Sequence, residues 1–412
     1  MLKLLPTLGA VVVSVLVFGS AARAQNAAGE PSPDPSPETA DSKADPPADA
    51  SNRQASDQPP PAAVRKVRNF IERNPIIQRF KGDGVYPRIG GLSQGSGLAG
   101  GAGYRRHLDW AYVDVSAAIS TKAYRGIDAQ VRWIDTPRFQ LANLLTFRNN
   151  TQDDFYGLGN DTTNATRVDY GIRWTDIGAR GSVRIIRGLR LGADVGYFIP
   201  TVRHGRDGNL QSIAQLFSDA TAPGLARQPD FEHHSVFAVS DSRDAEGFPR
   251  RGGLYRAAYA IWNDQSFGEY NFGRFDMTGA QFFSLPTRSV LALRLALSYT
   301  NNEPGDRVPF YLLPYVGGGD TVRSFREFRF RDENAGVFNV ELRHKVHSMA
   351  YVAGFVDFGK VAHNWEDITP TDLKKAYGVG LRAGTDEKTY FRFDVAYGDG
   401  GTRVFLKLTP SF

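Results

Sequence analysis

From about residue 84 onward the chain alternates between two kinds of side chain. In the segment 289–299 ("SVLALRLALSY"), Leu291, Leu293, Leu295, Leu297 and Tyr299 share one parity, while Ala292, Arg294, Ala296 and Ser298 share the other. A period of two is that of a β-strand with two unlike faces. The same pattern runs through 112–120, 127–133, 167–174 and 389–397. It predicts strands near 85–92, 97–107, 111–121, 123–134, 138–149, 166–184, 188–199, 231–241, 253–263, 269–283, 288–301, 334–347, 349–361, 375–384, 389–398 and 402–412. These make sixteen, an even number, mostly of roughly the length that crosses a bilayer at a tilt. Tight connections such as "DTPR", "SLPT" and "TDEK" alternate with longer ones at 150–165, 200–230, 302–333 and 362–374. A soluble sandwich has no reason to keep short turns on one side and long loops on the other. The expectation is all-β: a sixteen-stranded antiparallel transmembrane β-barrel of the bacterial outer membrane, surrounded by lipid and with both ends of the barrel on the short-turn side.

The residues ahead of the barrel are of another kind. Lys3, the apolar run from Leu4 to Phe18 and the small residues ending in Ala22-Arg23-Ala24 read as a signal peptide over 1–24. Residues 25–63 are acidic and Pro-rich with almost no large apolar side chain, the composition of a disordered tether. Over 64–83, Val64, Val67, Phe70 and Ile71 recur at helical spacing among basic residues, predicting a short amphipathic helix. It would lie on a membrane surface, plug a pore or pack as a cap on the barrel at 84–412. No later run of about 18 apolar residues occurs, which excludes a helical span. The absence of cysteine excludes disulfides and thiolate metal sites. The net charge of +5 is scattered singly along the strands, so nucleic acid is not an expected partner.

One segment breaks the strand pattern: "YVGGGDTVRSFREFRF", Tyr315 to Phe330. Gly317, Gly318 and Gly319 form a hinge in a loop that carries Arg323 and Phe325. On the following strand Phe338, Val340, Leu342 and Val346 take the lipid parity, which turns Glu341, Arg343 and Lys345 into the lumen. On the next, Val352, Val356 and Phe358 face lipid and Asp357 points inward. The loop thus has two lumenal carboxylates to meet, and the planar fork of arginine suits them. We expect Arg323 to pair with Asp357, with Glu341 nearby. At the chain's end Val404, Leu406, Leu408 and Phe412 share the lipid parity.

Taken in order, "GGGDTVRSF" (317–325), "NVELRH" (339–344), "FVDFG" (355–359), "YGVGLRAGTDEKTYFRFDVAYG" (377–398) and Phe412 resemble the barrel of the BamA/TamA-like outer-membrane proteins, the bacterial surface antigen family. "DSRDAEGFPRRGG" from Asp241, with Arg243, Asp244, Pro249 and Gly252, resembles that family's periplasmic turn, and "DDFYGLGNDT" (153–162) its third long loop. The resemblance implies a sixth loop tucked into the lumen with its arginine salt-bridged to the two acids. It also implies recognition of the Phe412 strand by the barrel-assembly machinery, and a role in protein transport or membrane assembly on a protein client, with no cofactor. Two features depart from the family: Ser324 stands where its loop motif has glycine, and residues 25–83 hold no POTRA domain, as in a short form. Two other functions stay open at this point. One is a solute pore, in which inward Arg132, Arg173 and Arg294 would favour anions. The other is a structural or adhesive surface protein whose 200–230 loop meets its surroundings. Catalysis is not expected. No Ser, His and acid share inward parity on neighbouring strands, "GSGLAG" (95–100) runs on into a strand, and adjacent His233 and His234 point to opposite faces.

Overall fold

The computed structural model describes residues 82–347, 349–384 and 389–407. The expected signal peptide, tether and helix, the 385–388 turn and Phe412 lie outside the described residues. The strands are β1 Gly84–Gly90, β2 Ala99–His107, β3 Tyr112–Ser120, β4 Arg125–Asp135, β5 Phe139–Phe155, β6 Val168–Ile186, β7 Leu189–His204, β8 Phe231–Asp241, β9 Gly252–Asp264, β10 Phe272–Leu285 and β11 Ser289–Asn301. Then come the two-residue β12 Tyr315–Val316 and β13 Phe330–Arg331, followed by β14 Asn334–His347, β15 Ala350–Ala362, β16 Lys374–Gly384, β17 Thr389–Gly398 and β18 Arg403–Lys407. Sixteen of them form one antiparallel sheet in chain order, from β1 to β11 and on through β14 to β18, rolled into a nearly closed barrel. β12 and β13 pair only with each other, inside the connection that follows β11.

The sixteen strands are those the alternation predicts, and the two faces are inverted relative to a soluble protein. Ile119, Ile127, Ile177, Val236, Leu295, Phe338, Leu342, Val356, Val379 and Leu406 are exposed on the outside of the wall, whereas Glu341, Asp357, Arg382, Arg392 and Asp394 are buried within it. A wall with apolar residues outside and an unbroken strand-to-strand ladder from β1 to β18 meets what a bilayer demands of a β-protein. The chain is therefore an outer-membrane barrel.

The pattern misplaces two strand ends. β5 continues from the expected 149 to Phe155, and β7 from 199 to His204, so the loops that follow are shorter than expected. The added residues of β5, "NTQDDF", pair with β6 at Asn150, Asp153, Asp154 and Phe155, with a bulge between Asn150 and Asp153. Alternation marks a strand only where lipid lies on one side. Above the bilayer both faces are polar or loop-covered, and the signal disappears.

The long-loop rim has its own apolar centre. Phe155, Tyr170, Ile172, Phe198, Phe231, Trp262, Phe272 and Phe310 are buried together there, with Ile213 from a single helical turn, Ile213–Leu216, in the 205–230 loop. On the opposite rim, Phe248 from the turn after β8 folds inward and its ring lies 4.8 Å from that of Tyr351 on β15.

Candidate functional site

The 302–333 connection packs against the wall made by β14 to β18. Gly317 and Gly318 adopt φ of +121° and +101°, a region that side chains avoid. Gly319 differs: its carbonyl accepts a hydrogen bond from Arg392, and a Cβ there would lie 2.7 Å from Lys407 Cε. The hinge expected over 317–319 is thus two turning residues and one of close approach. The wall has a matching gap, since a Cβ on Gly359 would lie 2.8 Å from both Val316 Cγ1 and Val322 Cγ2. Val316, Val322, Phe325 and Phe330 pack there against Ala335, Val337, Val361 and Ala376. The rings of Phe325 and Phe330 meet edge to face at 5.0 Å. Burying each large side chain contributes roughly 1.5–3 kcal/mol.

Arg323 is brought to Asp357 and Glu341. Its Nε and Nη2 donate to the two Asp357 oxygens at 2.8 and 2.7 Å, and its backbone N–H donates to Oδ2 at 3.2 Å. Nη1 reaches Glu341 Oε2 at 3.2 Å and Asp394 Oδ2 at 3.4 Å, and the guanidinium carbon sits 3.3 Å from the centre of the Phe355 ring. The acids are shared in turn. Arg382 bridges Glu341 at 2.7 Å and Asp394 at 2.5 Å, Arg343 donates to Glu341 at 2.8 Å, and Arg392 Nε lies 3.1 Å from Asp394. Asn339 donates to Asp357 at 2.9 Å and to the Thr321 carbonyl at 2.8 Å. Four guanidiniums therefore neutralise three fully buried carboxylates, with multiple hydrogen bonds offsetting their desolvation. Asp394, Arg382 and Arg392 are further members, from β16 and β17, beyond the pair of acids expected on β14 and β15.

Ser324 occupies the family's glycine position without strain. It does not adopt positive φ; in this loop the non-glycine residue that does is Phe328, at +59°. The Ser324 hydroxyl donates to the Lys375 carbonyl at 3.0 Å and faces Gly398, where a Cβ would lie 2.9 Å from it. Ser324→Ala is expected to lower stability by about 1 kcal/mol, the worth of one such bond, read as a shift in the urea midpoint.

Glu327 adds a titratable contact. Its Oε1 accepts from Gly319 N–H at 3.2 Å, and a Cβ on Gly318 would collide with its carboxylate. Burial pushes this carboxyl from the ordinary 4.5 up to about 7, Asp320 adds to the rise, and Lys407, the Gly319 N–H and Arg392 pull the other way. A raised acid binds its proton more tightly in the folded loop. Its contribution is therefore complete below about pH 4.5 and is lost as pH rises through about 7. Wild type and Glu327→Gln are expected to melt together near pH 4, with the variant about 2–4 °C higher at pH 8.

Above this site the third loop closes on the sixth. Arg331 donates to Tyr170 Oη at 2.9 Å and to the Phe310 carbonyl at 3.0 Å, Arg329 donates to Thr162 Oγ1 at 2.7 Å, and Gly159 N–H donates to the Arg331 carbonyl at 2.8 Å. In the turn between β8 and β9, Arg243 grips Asp241 at 2.9 and 2.7 Å, and Asp244 accepts from the N–H groups of Arg250 and Arg251. Pro249 is buried, and Gly252 takes φ of +85° where a side chain would strike Ser242.

Of the arginines suggested for an anion pore, Arg294 is tied to Asn339 and to the Asp320 carbonyl, both at 2.9 Å, and Arg132 to Asp135 at 2.8 Å. Arg173 does not face the lumen. Its neighbours of the other parity, Tyr170, Ile172 and Trp174, turn inward to the loop cluster, and Arg173 is exposed on the outer surface. Near this rim the apolar parity follows the loops rather than the lipid. Among the described residues no group of three or more His, Asp or Glu is placed to hold a metal.

A sixteen-stranded outer-membrane barrel with a long loop seated on its C-terminal wall is a recognisable class. The Omp85 superfamily domain matches residues 133–405, more than half of the chain, and the chain belongs to that superfamily. Among solved structures the fold is similar to BamA from Haemophilus ducreyi lacking POTRA domains 1–3, at 14% identity and a TM-score of 0.59, covering 79% of this chain and 69% of that one. It is also similar to CdiB from Escherichia coli, at 13% identity and a TM-score of 0.50, covering 78% of this chain and 61% of that one. A comparison with curated protein sequences found no match.

Proposed function

We propose that this barrel serves protein transport or membrane assembly, with the sixth loop as a lock that a protein client releases. The observation that carries the reading is the seating of Arg323 among Asp357, Glu341 and Asp394. A plain diffusion pore gains nothing from a buried ionic cluster that fixes a loop across its lumen, whereas a regulated passage needs a closed resting state. The barrel carries out no catalysis and needs no cofactor; its work is conformational. Phe412 takes the part of the terminal aromatic by which the barrel is itself assembled. The test is single-channel conductance of the full chain in planar bilayers. Wild type is expected to stay closed for most of the record, and Arg323→Ala to open or flicker. A large, steady wild-type conductance that the substitution leaves unchanged would overturn the lock.

A further inference from the structure

The outer surface of the wall carries a second constellation that the loop lock does not use. Strand register sets Arg125, Asn149, Arg173 and Thr201 side by side across β4, β5, β6 and β7, so the four side chains point to the same face. That face is the outer one, because the next rows toward the membrane on the same parity are Ile127, Phe147, Thr175 and Ile199, then Ala129, Leu145, Ile177 and Tyr197. Ile127 and Ile177 in those rows are exposed outward. Arg203 stands one step above, opposite Gly171, which has no side chain to fill the space beside it. The β5 bulge opens a notch here of about 270 Å³, with Arg125, Asn149, Gly171, Arg203 and Arg206 among its lining. Among the described residues no carboxylate lies within ion-pair reach of Arg125, Arg173, Arg203 or Arg206; Arg203 instead donates to Asn149 Oδ1. Of the other exposed arginines, Arg180 and Arg227 have acidic partners, Asp194 and Glu269, whereas Arg184 and Arg187 at the opposite rim have none among the described residues and so serve as controls.

We infer that this row is a binding site for the phosphorylated sugar headgroup of an outer-leaflet glycolipid. It stands on the long-loop rim, where the outer leaflet meets water. Strands are about 4.8 Å apart, so Arg125 and Arg173 are separated by about 10 Å. That gap admits one phosphate between two long side chains, with Asn149 beneath it and Arg203 above. Guanidiniums without acidic partners give phosphate oxygens charge-assisted bonds that no internal carboxylate contests. The apolar rows directly below receive the acyl chains of the same molecule, which a free anion does not have.

The test is binding of diphosphoryl lipid A, in mixed detergent micelles, to the folded full chain and to the triple variant Arg125→Gln, Arg173→Gln, Arg203→Gln. All three positions are exposed, so heat-modifiability should be unchanged; the single variants are measured alongside in case the triple one does not fold. The expected result is a loss on the order of tenfold or more for the triple variant, a partial loss for each single, and an equal loss when the probe lacks its phosphates. Millimolar inorganic phosphate should not compete. Arg184→Gln with Arg187→Gln, which removes the same kind of charge at the opposite rim, should bind as wild type does. Equal binding by the triple and wild-type proteins, full competition by inorganic phosphate, or an equal loss in the opposite-rim variant would each overturn the proposal.

Discussion

Replacing Arg323 with alanine is expected to cost the folded barrel about 3–5 kcal/mol, read as a lowered urea midpoint and a lowered temperature of the heat-modifiability transition. The three acids around Arg323 would not suffer equally. Glu341 keeps Arg343 and Arg382, and Asp394 keeps Arg382 and Arg392. Asp357 would keep only Asn339 and the backbone N–H of residue 323, and most of the cost arises at that carboxylate. Two further outcomes follow. Asp357→Asn should be milder than Arg323→Ala, because Arg323 would still face Glu341 and Asp394. Adding Asp357→Asn to Arg323→Ala should recover much of the loss, since it removes the orphaned charge. Exchanging the two charges, the natural test of an isolated pair, should fail, because an aspartate at 323 would meet two more carboxylates. A double variant no better than Arg323→Ala alone would mean that the cost lies in the lost contact with the Phe355 ring and not in the buried charge.

Gly359→Leu is expected to unseat the loop without substituting any charged member of the cluster. The Cβ alone would approach Val316 and Val322 to 2.8 Å, and the rest of the side chain would occupy the volume those two valines fill. Backbone on β15 cannot retreat without breaking its ladder with β14 and β16, so the loop must move. Overpacking of this size costs about 3 kcal/mol. The variant should conduct like Arg323→Ala in bilayers, because both remove the seated loop from the lumen by different means. A closed and fully stable Gly359→Leu barrel would mean that Val316 and Val322 yield without moving Arg323, so that the steric gap contributes nothing to the seat.

The strands were legible because lipid imposes a single rule on all of them, and β11 ("SVLALRLALSY") states it over its whole length. The rule stops where lipid stops, which is why β5 and β7 were read short and why Arg173 was assigned to the wrong side. In the site, parity on β14 and β15 places Glu341 and Asp357 inward once Phe338 and Val356 are taken as outward. The same argument applies to "LRAG" and "FRFD", where Leu381, Phe393 and Val395 flank Arg382, Arg392 and Asp394. Those residues lie on the third and fourth strands after the loop, not on the two that directly follow it. Barrel curvature, which no local pattern reports, is what carries β16 and β17 round to the same guanidinium. The register of loop against wall, including the fit of Val316 and Val322 into the space above Gly359, rests on shapes more than 35 residues apart and has no signature in the sequence.

The acids that hold Arg323 all come after it in the chain, at separations of 18, 34 and 71 residues. The first lies on β14, the second on β15 and the third on β17, so the whole seat is built from strands C-terminal to the loop. Until all three strands stand side by side the guanidinium has no complete set of counter-charges and the loop no reason to leave water. Arg323 is in this sense a gauge of completion: an intermediate in which β17 has not joined β14 and β15 carries an unfinished ion cluster and a loose loop, whichever end of the sheet forms first.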